Sequence, residues 1–237
     1  MKIFRLAGFA IVAAALFATI GASAAAPPLP AFTAHYSLLQ NGSPIGTATL
    51  TLVRGTDNSW TFTTQSRGTA GLAALLGASV RETSTFRWVG EMPQGESYDY
   101  SMDTGIKQKH REVRFDWTNH TIEVDDKGTF HFPTQPGAME RHTVTLALAA
   151  GLAAGKSSFT LPVAVRDRIE MQHYTARGRQ NMTVPAGTFD AIRVSRTDGG
   201  DGFEAWFAPA KLPIPVRIDQ PGKQHFALEL ESWKPEG

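Results

Sequence analysis

The sequence predicts a mainly β protein: a single antiparallel open barrel or β-roll of about a dozen strands with one packed α-helix. Two observations lead to this fold class. Apolar and polar residues alternate with period two over much of the chain, and clusters of Gly, Asn and Asp separate the alternating stretches. Residues 143–155 break this pattern because they are rich in Ala and Leu over a length that suits a helix.

Composition limits the class of protein. The 237 residues include 23 basic and 22 acidic side chains, so the chain has no broad attraction to nucleic acid, and we expect no nucleic-acid partner. There is no cysteine, which excludes disulfides, thiol catalysis and cysteine-ligated zinc. The apolar residues, 42% of the chain, must therefore form a core that stabilises the fold without cross-links.

The first 24 residues have the pattern of a cleaved export signal. Lys2 and Arg5 precede an uncharged apolar run from Leu6 to Ile20, which is shorter than the roughly 20 residues of a membrane-spanning helix. Small residues follow, and we expect cleavage between Ala24 and Ala25. The interpretation is a periplasmic protein with no stable membrane span after processing; a retained membrane anchor is the alternative.

The rest of the chain is expected to form one domain. Residues 25–31 read as an extended lead-in stiffened by proline, residues 32–233 as a single β-rich domain, and residues 234–237 as a tail. Alternation is clearest in six stretches, which we predict to be half-buried strands. These are FTAHYSLL (32–39), TATLTLV (47–53), WTFTTQ (60–65), RETSTFRWV (81–89), REVRFDW (111–117) and HFALELESW (225–233).

The segment TIEVDDKGTFHF (121–132) predicts a hairpin whose register can be assigned. A three-residue loop of Asp126-Lys127-Gly128 pairs Val124 with Phe130 and Ile122 with Phe132. This register alone puts all four apolar side chains on one face, and one buried face is what fixes register. Gly128 is expected to supply the left-handed conformation that the loop requires.

Prolines mark two further features of the β structure. Pro185-Ala186-Gly187 favours a tight corner, with Pro185 at the first central position and a positive φ at Gly187; a binding loop is the less favoured alternative. In KLPIPVRI (211–218), Pro213 and Pro215 lack a backbone donor, so this segment is expected at a sheet edge or end.

Two segments are not β-like. Residues 143–155 predict a helix of about three turns, with Thr143 as its cap and an end at Gly155. Residues 68–79, GTAGLAALLGAS, are apolar and bracketed by glycines, which favours either a short packed helix or a mobile lid over a cavity mouth. The residues assigned to this lid are Gly68, Leu72, Leu75, Leu76 and Gly77.

The search for chemical motifs finds no catalytic signature. Nucleophile elbows, zinc-protease motifs, phosphate loops and dinucleotide fingerprints are all absent from the sequence. The seven histidines stand singly and are interpreted as surface or turn residues, so we predict no metal site, no catalytic residue and no cofactor. The basic run from Lys107 to Arg114 is split by strand alternation, because Lys109 and Arg111 face opposite to His110.

Three stretches of the chain carry recognisable motifs, namely YSLLQNGSPIGTATLTL (36–52), TVPAGTFDAIRVSR (183–196) and EAWFAPAKLPIPVRI (204–218). Together they resemble a bacterial exported family, domain of unknown function 3108. The shared features include Gly46 after the first turn, Pro185-x-Gly187, Trp206 with Ala208-Pro209, and Pro215 to Ile218. The resemblance covers residues 32–233 and implies an exported, β-rich bacterial protein of no established activity.

Three functional hypotheses are open. The first is a non-catalytic binding or carrier module for a lipid or another apolar or amphipathic small molecule, held in a cavity that the curled sheet encloses. The second is an envelope-assembly scaffold that binds a protein partner through sheet edges, and the third is a hydrolase with an unrecognised site. The cavity is predicted from large aromatic residues on alternating strands, namely Trp60, Phe62, Phe86, Trp88, Phe203, Trp206 and Phe207.

Export can be tested directly. When the chain is expressed in a Gram-negative host, we expect the mature protein in the periplasm with Ala25 at its N-terminus, because signal peptidase reads the small residues before that position. N-terminal sequencing of the periplasmic fraction measures this. Recovery of a protein that still begins at Met1, or that stays in the inner membrane, would contradict cleavage.

Overall fold

The computed structural model describes residues 26–199, 202–222 and 224–236, so the predicted export signal lies outside the described residues. The described chain forms fifteen strands in one sheet, where about a dozen were expected, and two α-helices. The strands are β1 Phe32–Gln40, β2 Ser43–Arg54, β3 Ser59–Gly68, β4 Ser79–Val89, β5 Met92–Asp103, β6 Gln108–Asp116, β7 Thr121–Asp125, β8 Thr129–Pro133, β9 Met139–Glu140, β10 Ser158–Ala164, β11 Ile169–Val184, β12 Gly187–Arg196, β13 Glu204–Phe207, β14 Pro215–Gln220 and β15 Phe226–Pro235. The helices are α1 Gly71–Leu75 and α2 Val144–Ala153, the latter preceded by a 3₁₀ turn at Arg141–Thr143.

The order of strands in the sheet is simple. Strands β1 to β8 form one run of consecutive antiparallel neighbours, strands β10 to β15 form another with β9 added at its end, and β1 pairs with β15 to join the two runs. All neighbouring pairs are antiparallel except β9 and β10, which are parallel. The sheet is therefore almost entirely antiparallel, as the alternating sequence predicted.

The two runs also meet on the side opposite the β1–β15 pair. The backbone N–H of Gly95 in β5 donates a hydrogen bond of 2.9 Å to the carbonyl oxygen of Ala138, the residue before β9. The sheet thus curls back on itself between β5 and β9, while β6, β7 and β8 continue beyond this contact. The result is a barrel-like but open arrangement, which agrees with the predicted fold class.

Helix α2 fills the concave side of the curled sheet. Eight of its ten residues are buried, and all of these except Gly151 belong to the same core cluster as buried residues of β1, β2, β3 and β10 to β15. A helix that is apolar on every side is typical of one enclosed by protein. Gly151 allows the closest approach, because a Cβ at this position would lie 2.5 Å from the ring of Phe159.

A second, smaller core lies under β6, β7 and β8. Val113, Ile122 and Val124 are fully buried there, and they pack with Ala138 and Ala164 from the other end of the sheet. The β6–β8 extension therefore covers the place where β5 meets the segment before β9, and it protects the closing contact from solvent.

The predicted β7–β8 hairpin is confirmed. Val124 pairs with Phe130 and Ile122 with Phe132 across the three-residue loop. The left-handed residue differs from the expectation, because Lys127 has φ 56° while Gly128 has φ 143°. Both values are positive, and only glycine adopts the second without strain.

The proline features also appear as predicted. Pro185 and Ala186 form a two-residue corner between Val184 and Gly187, and Gly187 has φ 130°. Pro215 is the first residue of β14, where its missing N–H costs no ladder hydrogen bond. Strand β14 lies inside the sheet between β13 and β15, so the segment is at a strand end and not at a sheet edge.

The lead-in and the tail are joined to the domain. Leu29 is 1% exposed and belongs to the main core, so the lead-in packs against the sheet. Strand β15 continues to Pro235, and Glu236 donates its backbone N–H to Ala31. Among the described residues, neither helix has the length and apolar character required to cross a membrane.

The buried position of α2 predicts a large effect of truncating its side chains. Leu148→Ala should lower the free energy of unfolding by about 2–5 kcal/mol, because Leu148 is fully buried and its loss leaves a cavity. Leu75→Ala, a matched change at a side chain that is 82% exposed, should alter it by less than about 0.5 kcal/mol. Urea unfolding followed by tryptophan fluorescence measures both, and similar losses would contradict the enclosed position of α2.

Candidate functional site

The seven aromatic residues predicted to line a cavity lie within or against the main core. Five are buried, and the other two, Trp88 and Phe203, are half-buried against the same cluster. Because α2 is part of that cluster, the helix and the rings fill the concave side of the sheet together. Ligand binding by these rings stays a prediction. The five buried rings are those of Trp60, Phe62, Phe86, Trp206 and Phe207.

The predicted lid forms the connection between β3 and β4. It contains the short helix α1, as one of the two alternatives expected. No residue of α1 is buried, so this helix is not packed against the sheet as that alternative required. Gly71 and Gly77 bracket α1 with φ of 57° and 60°. Its leucines Leu72 and Leu75 point to solvent, while Gly68 and Leu76 are half-buried. The role of lid stays a prediction.

A cleft of about 680 Å³ opens beside this connection, at the ends of β3, β4, β5 and β6. We call it the end cleft. Its lining comes from both faces of the strands: Val80, Met102 and Lys109 share the core-facing row, whereas Arg67 and Arg81 alternate with them and face the outer side. The other residues that line it are Gln65, Ser66, Ser79, Ser101, Asp103, Gln108 and His110.

A second, smaller cleft of about 210 Å³ lies between the lead-in, helix α2 and the loop before β14. It includes Phe207 from the predicted aromatic set, together with Leu29 and Ala153. Its lining is mainly apolar and rich in proline, with Lys211 as its charged member.

Strand register connects the end cleft to the interior. Every second residue of a strand faces the same side of the sheet, so the core-facing side chains of β3 to β6 form cross-strand rows. Three rows follow one another from the strand ends towards the core. They are Ser66–Val80–Met102–Lys109, then Thr64–Glu82–Tyr100–Arg111, then Phe62–Ser84–Tyr98–Val113.

The middle of this path holds a charged network. The Tyr98 hydroxyl donates a hydrogen bond of 2.5 Å to Glu82 Oε1, and Arg141 from the 3₁₀ turn donates to the same oxygen at 3.2 Å. The Arg141 guanidinium also lies 4.9 Å from the ring centre of Tyr100. Burial alone would raise the pKa of the Glu82 carboxyl, but His142, Arg141 and the bond from Tyr98 outweigh burial, so this pKa is lowered.

Arg111 faces the same network without an ion pair of its own among the described residues. Its Nε atom is buried and has no hydrogen-bond partner in the described part of the chain. Burial and the nearby Arg141 both lower the pKa of Arg111. The guanidinium groups of Arg111 and Arg141 thus lie among the carboxylates of Glu82 and Glu140, and Asp126 also acts on Arg111.

His142 anchors the start of α2 inside the sheet. Its Nε2 shares a hydrogen bond of 2.8 Å with Thr64 Oγ1, and its Nδ1 shares one of 2.8 Å with Ser84 Oγ. The imidazole also stacks on Phe62 with the ring centres 4.3 Å apart. His142 lies in the 3₁₀ turn and is only 9% exposed, so it is a turn residue, as interpreted, but not a surface one.

Glu140 caps the same turn. Its carboxylate accepts the backbone N–H groups of His142 at 2.5 Å and Thr143 at 3.2 Å. The expected cap, Thr143, makes no side-chain capping bond to the helix. Glu140 was missed because the 3₁₀ turn moves the first free N–H groups towards the N-terminus, where a carboxylate satisfies them.

The Ser84–His142 pair does not have the geometry of a nucleophile and its base. Each ring nitrogen of His142 is bonded to a hydroxyl group, which leaves neither nitrogen for an orienting carboxylate. Glu140 binds backbone N–H groups and not the ring. Ser84 is fully buried, so its hydroxyl has no access to a substrate. The pair acts as a structural anchor.

On the opposite, outer face of the sheet, three side chains come close enough to hold a metal ion. Asp99, His110 and Glu112 each place a ligand atom within 4.8 Å of the others. His110 Nε2 lies 3.1 Å from Glu112 Oε1, and Arg114 binds the other oxygen of Glu112 at 2.5 Å. His110 is exposed and Arg114 competes for the carboxylate, so the cluster reads as a surface ion-pair group.

The fold and the site define a class of protein: a curled, barrel-like antiparallel sheet that is filled by a buried helix and carries a cationic cleft at one open end. The chain belongs to the family described as "Protein of unknown function (DUF3108)", which matches residues 31–223. No curated protein matches the chain significantly.

A solved structure has a similar fold. It is a β-barrel-like protein of domain of unknown function DUF1849 from Brucella abortus, with a TM-score of 0.57 and 11% sequence identity. The similarity covers 90% of this chain and 100% of the other. At this identity the likeness extends to the fold alone.

The Glu82 network predicts a pH dependence of stability. The pKa of Glu82 is lower in the folded than in the unfolded chain, where it is near 4.5. Its ionised form therefore stabilises the fold above that value, and the contribution disappears as the pH falls through the folded-state pKa. Glu82→Gln should flatten the loss of unfolding free energy below about pH 4.5.

Urea unfolding at a series of pH values from neutral to acidic measures this slope. Glu123→Gln, the same change at an exposed carboxylate on the outer face, serves as the control and should keep the wild-type slope. An unchanged slope in Glu82→Gln would contradict the assigned network.

Proposed function

We propose that the protein is an exported, non-catalytic binding module for an amphipathic ligand that carries an anionic group. The observation that carries this proposal is the end cleft, where Lys109 shares one cross-strand row with Val80 and Met102, and Arg67 and Arg81 complete the cationic lining. Small-molecule sites typically combine apolar walls with a few charged groups that fix orientation. An anionic head would meet the cations, and an apolar chain would lie on the two aliphatic side chains.

The charge balance of the cleft favours an anion. Asp103 is the acidic residue in the lining, and its carboxylate is already engaged by the Gly105 N–H at 2.7 Å and by Gln108 Nε2 at 2.9 Å. Behind the cleft, Arg111 adds a further guanidinium whose Nε is unpartnered among the described residues. A bound carboxylate, sulfate or phosphate ester would receive charge-assisted hydrogen bonds from such groups.

The aromatic residues had suggested a binding site inside the curled sheet. Because the interior is filled, we place the proposed site in the end cleft instead. Helix α2 occupies the concave side of the sheet, and the largest of the open clefts described above lies at the strand ends. The buried Ser84–His142 pair supports a non-catalytic role, because neither group can reach a ligand in the cleft. The N-terminal pattern of the sequence supports export to the periplasm.

Binding can be tested with a fluorescent fatty acid that carries a free carboxylate, used below its micelle concentration. We expect saturable binding to the protein purified from the periplasm, and weaker binding of the methyl ester of the same probe. Lys109→Glu and Arg81→Glu should each weaken binding by about tenfold or more, because each removes a charged partner of the anion and adds repulsion.

The matched control is Lys127→Glu, which makes the same charge change at the β7–β8 turn, away from the cleft. It should bind the probe like the wild type, and all variants should keep the wild-type melting temperature. Equal affinity for acid and ester, or equal weakening by Lys127→Glu, would contradict the proposal. Absence of saturable binding, together with a protein partner captured by crosslinking in the periplasm, would favour the scaffold hypothesis.

A further inference from the structure

Three apolar side chains stand out from the surface at the end of the sheet that carries the end cleft. Leu75 and Ile106 are each 82% exposed and Leu72 is 67% exposed. The other large apolar side chains with high exposure, Val89 at 53% and Met171 at 43%, lie elsewhere in the fold. We call Leu72, Leu75 and Ile106 the apolar tip.

The tip is formed by two adjacent connections. Leu72 and Leu75 belong to α1 between β3 and β4, and Ile106 belongs to the turn between β5 and β6. The two connections touch, because a Cβ built on Gly105 would lie 2.7 Å from the carbonyl oxygen of Leu76. The three exposed side chains therefore lie on neighbouring connections at one end of the sheet.

Backbone hydrogen bonds hold both connections in place. Thr69 and Ala70 donate to the Ile45 carbonyl of β2 at 2.9 and 3.2 Å, and Ala78 donates to Ala73 at 2.9 Å. In the other connection, the Thr104 N–H donates to the Lys107 carbonyl at 3.1 Å. The backbone of both connections is thus held in place while the side chains of the apolar tip are exposed.

The surroundings of the tip are positively charged. Residues 68–78 contain no charged side chain, and the residues that border the tip include Arg67, Lys107 and Lys109. The acid at this end, Asp103, has both carboxylate oxygens engaged, one by Gly105 N–H and the other by Gln108. An exposed apolar patch with a cationic rim is typical of proteins that bind the surface of a bilayer.

We propose that the apolar tip docks on the surface of a lipid bilayer that contains anionic phospholipids. Leu72, Leu75 and Ile106 enter the region between headgroups and acyl chains, and Lys107 and its neighbours contact the headgroup phosphates. A second copy of the chain fits the tip less well, because a two-fold contact would bring the cationic rims of both copies together. This proposal does not depend on ligand binding in the end cleft.

Vesicle flotation tests the docking. The chain from Ala25 onward, which contains the whole described fold, should float with vesicles of phosphatidylcholine and phosphatidylglycerol, and much less with phosphatidylcholine alone. Leu75→Asp and Ile106→Asp should each lower the partition coefficient by about tenfold or more, because a carboxylate replaces an inserted apolar group and repels the anionic surface. Raised salt should weaken the wild-type binding.

Two matched controls separate docking from general effects. Val89→Asp makes the same kind of change at an exposed apolar residue that ends β4, at the opposite end of that strand, and it should keep partitioning within about twofold of the wild type. Lys107→Glu should lower binding to the anionic vesicles, whereas Lys127→Glu at the β7–β8 turn should do so far less. All of the substituted side chains are exposed, so the substitutions should not disturb folding. An unchanged melting temperature for each variant verifies this.

Several outcomes would overturn the proposal. They are equal binding to both vesicle compositions, equal losses in Val89→Asp and Leu75→Asp, or no loss in Leu75→Asp. Self-association without vesicles that disappears in Leu75→Asp would assign the tip to a second copy instead. The soluble-probe titration of the end cleft uses no vesicles, and Lys107 does not line that cleft. Failure of one proposal is therefore distinguishable from failure of the other.

Discussion

The rest of the structure depends on the enclosure of helix α2 by the curled sheet. A helix with apolar residues on every side is unstable in water, and a sheet of this size has a concave face that its own side chains fill incompletely. Each element removes the other's apolar surface from solvent. Apolar contacts do not satisfy the polar groups at the start of the helix. These groups are satisfied by hydrogen bonds from or to Thr64, Ser84, His142 and Glu140.

This arrangement explains the distribution of charge along the inward face of β3 to β6. The row that contains Ser84 is polar where it meets His142 and at the Tyr98 hydroxyl, and the next row carries Glu82, Tyr100 and Arg111 around Arg141. Because α2 and its 3₁₀ turn occupy the deeper positions, charged groups collect towards the strand ends, where water can still reach them. The outermost inward-facing row carries Lys109 and forms part of the lining of the end cleft.

Local patterns in the sequence predicted local structure well. The β7–β8 register followed from the requirement that Ile122, Val124, Phe130 and Phe132 share a face, and the same four residues are paired in the structure. Helix α2 followed from the composition of residues 143–155. The sequence did not show which of the two helices is buried, because both segments are rich in Ala and Leu. Only the tertiary fold decides that α2 is enclosed and α1 is exposed.

The site was beyond the reach of local patterns. Glu82, Tyr98 and Arg141 belong to three elements, and alternation within any one strand does not reveal that they meet. A nearly neutral net charge also concealed the local excess of cations around the strand ends. Arg111 had been assigned to one side of its strand correctly, but its neighbours across β5 and its approach to the 3₁₀ turn depend on pairings that single-sequence reasoning does not supply.

The pairing of β1 with β15 has a consequence for the order of folding. The two strands are nearly two hundred residues apart, and Thr33 binds Glu236 across a separation of 203 positions. Every other neighbouring pair of strands can form from hairpins or nearby segments as the chain becomes available. The β1–β15 pair, in contrast, requires the last strand. Contacts of such long separation are slow to form, because the entropy of closing the whole chain must be overcome first. The chain can therefore complete its sheet only after its C-terminal strand has been synthesised.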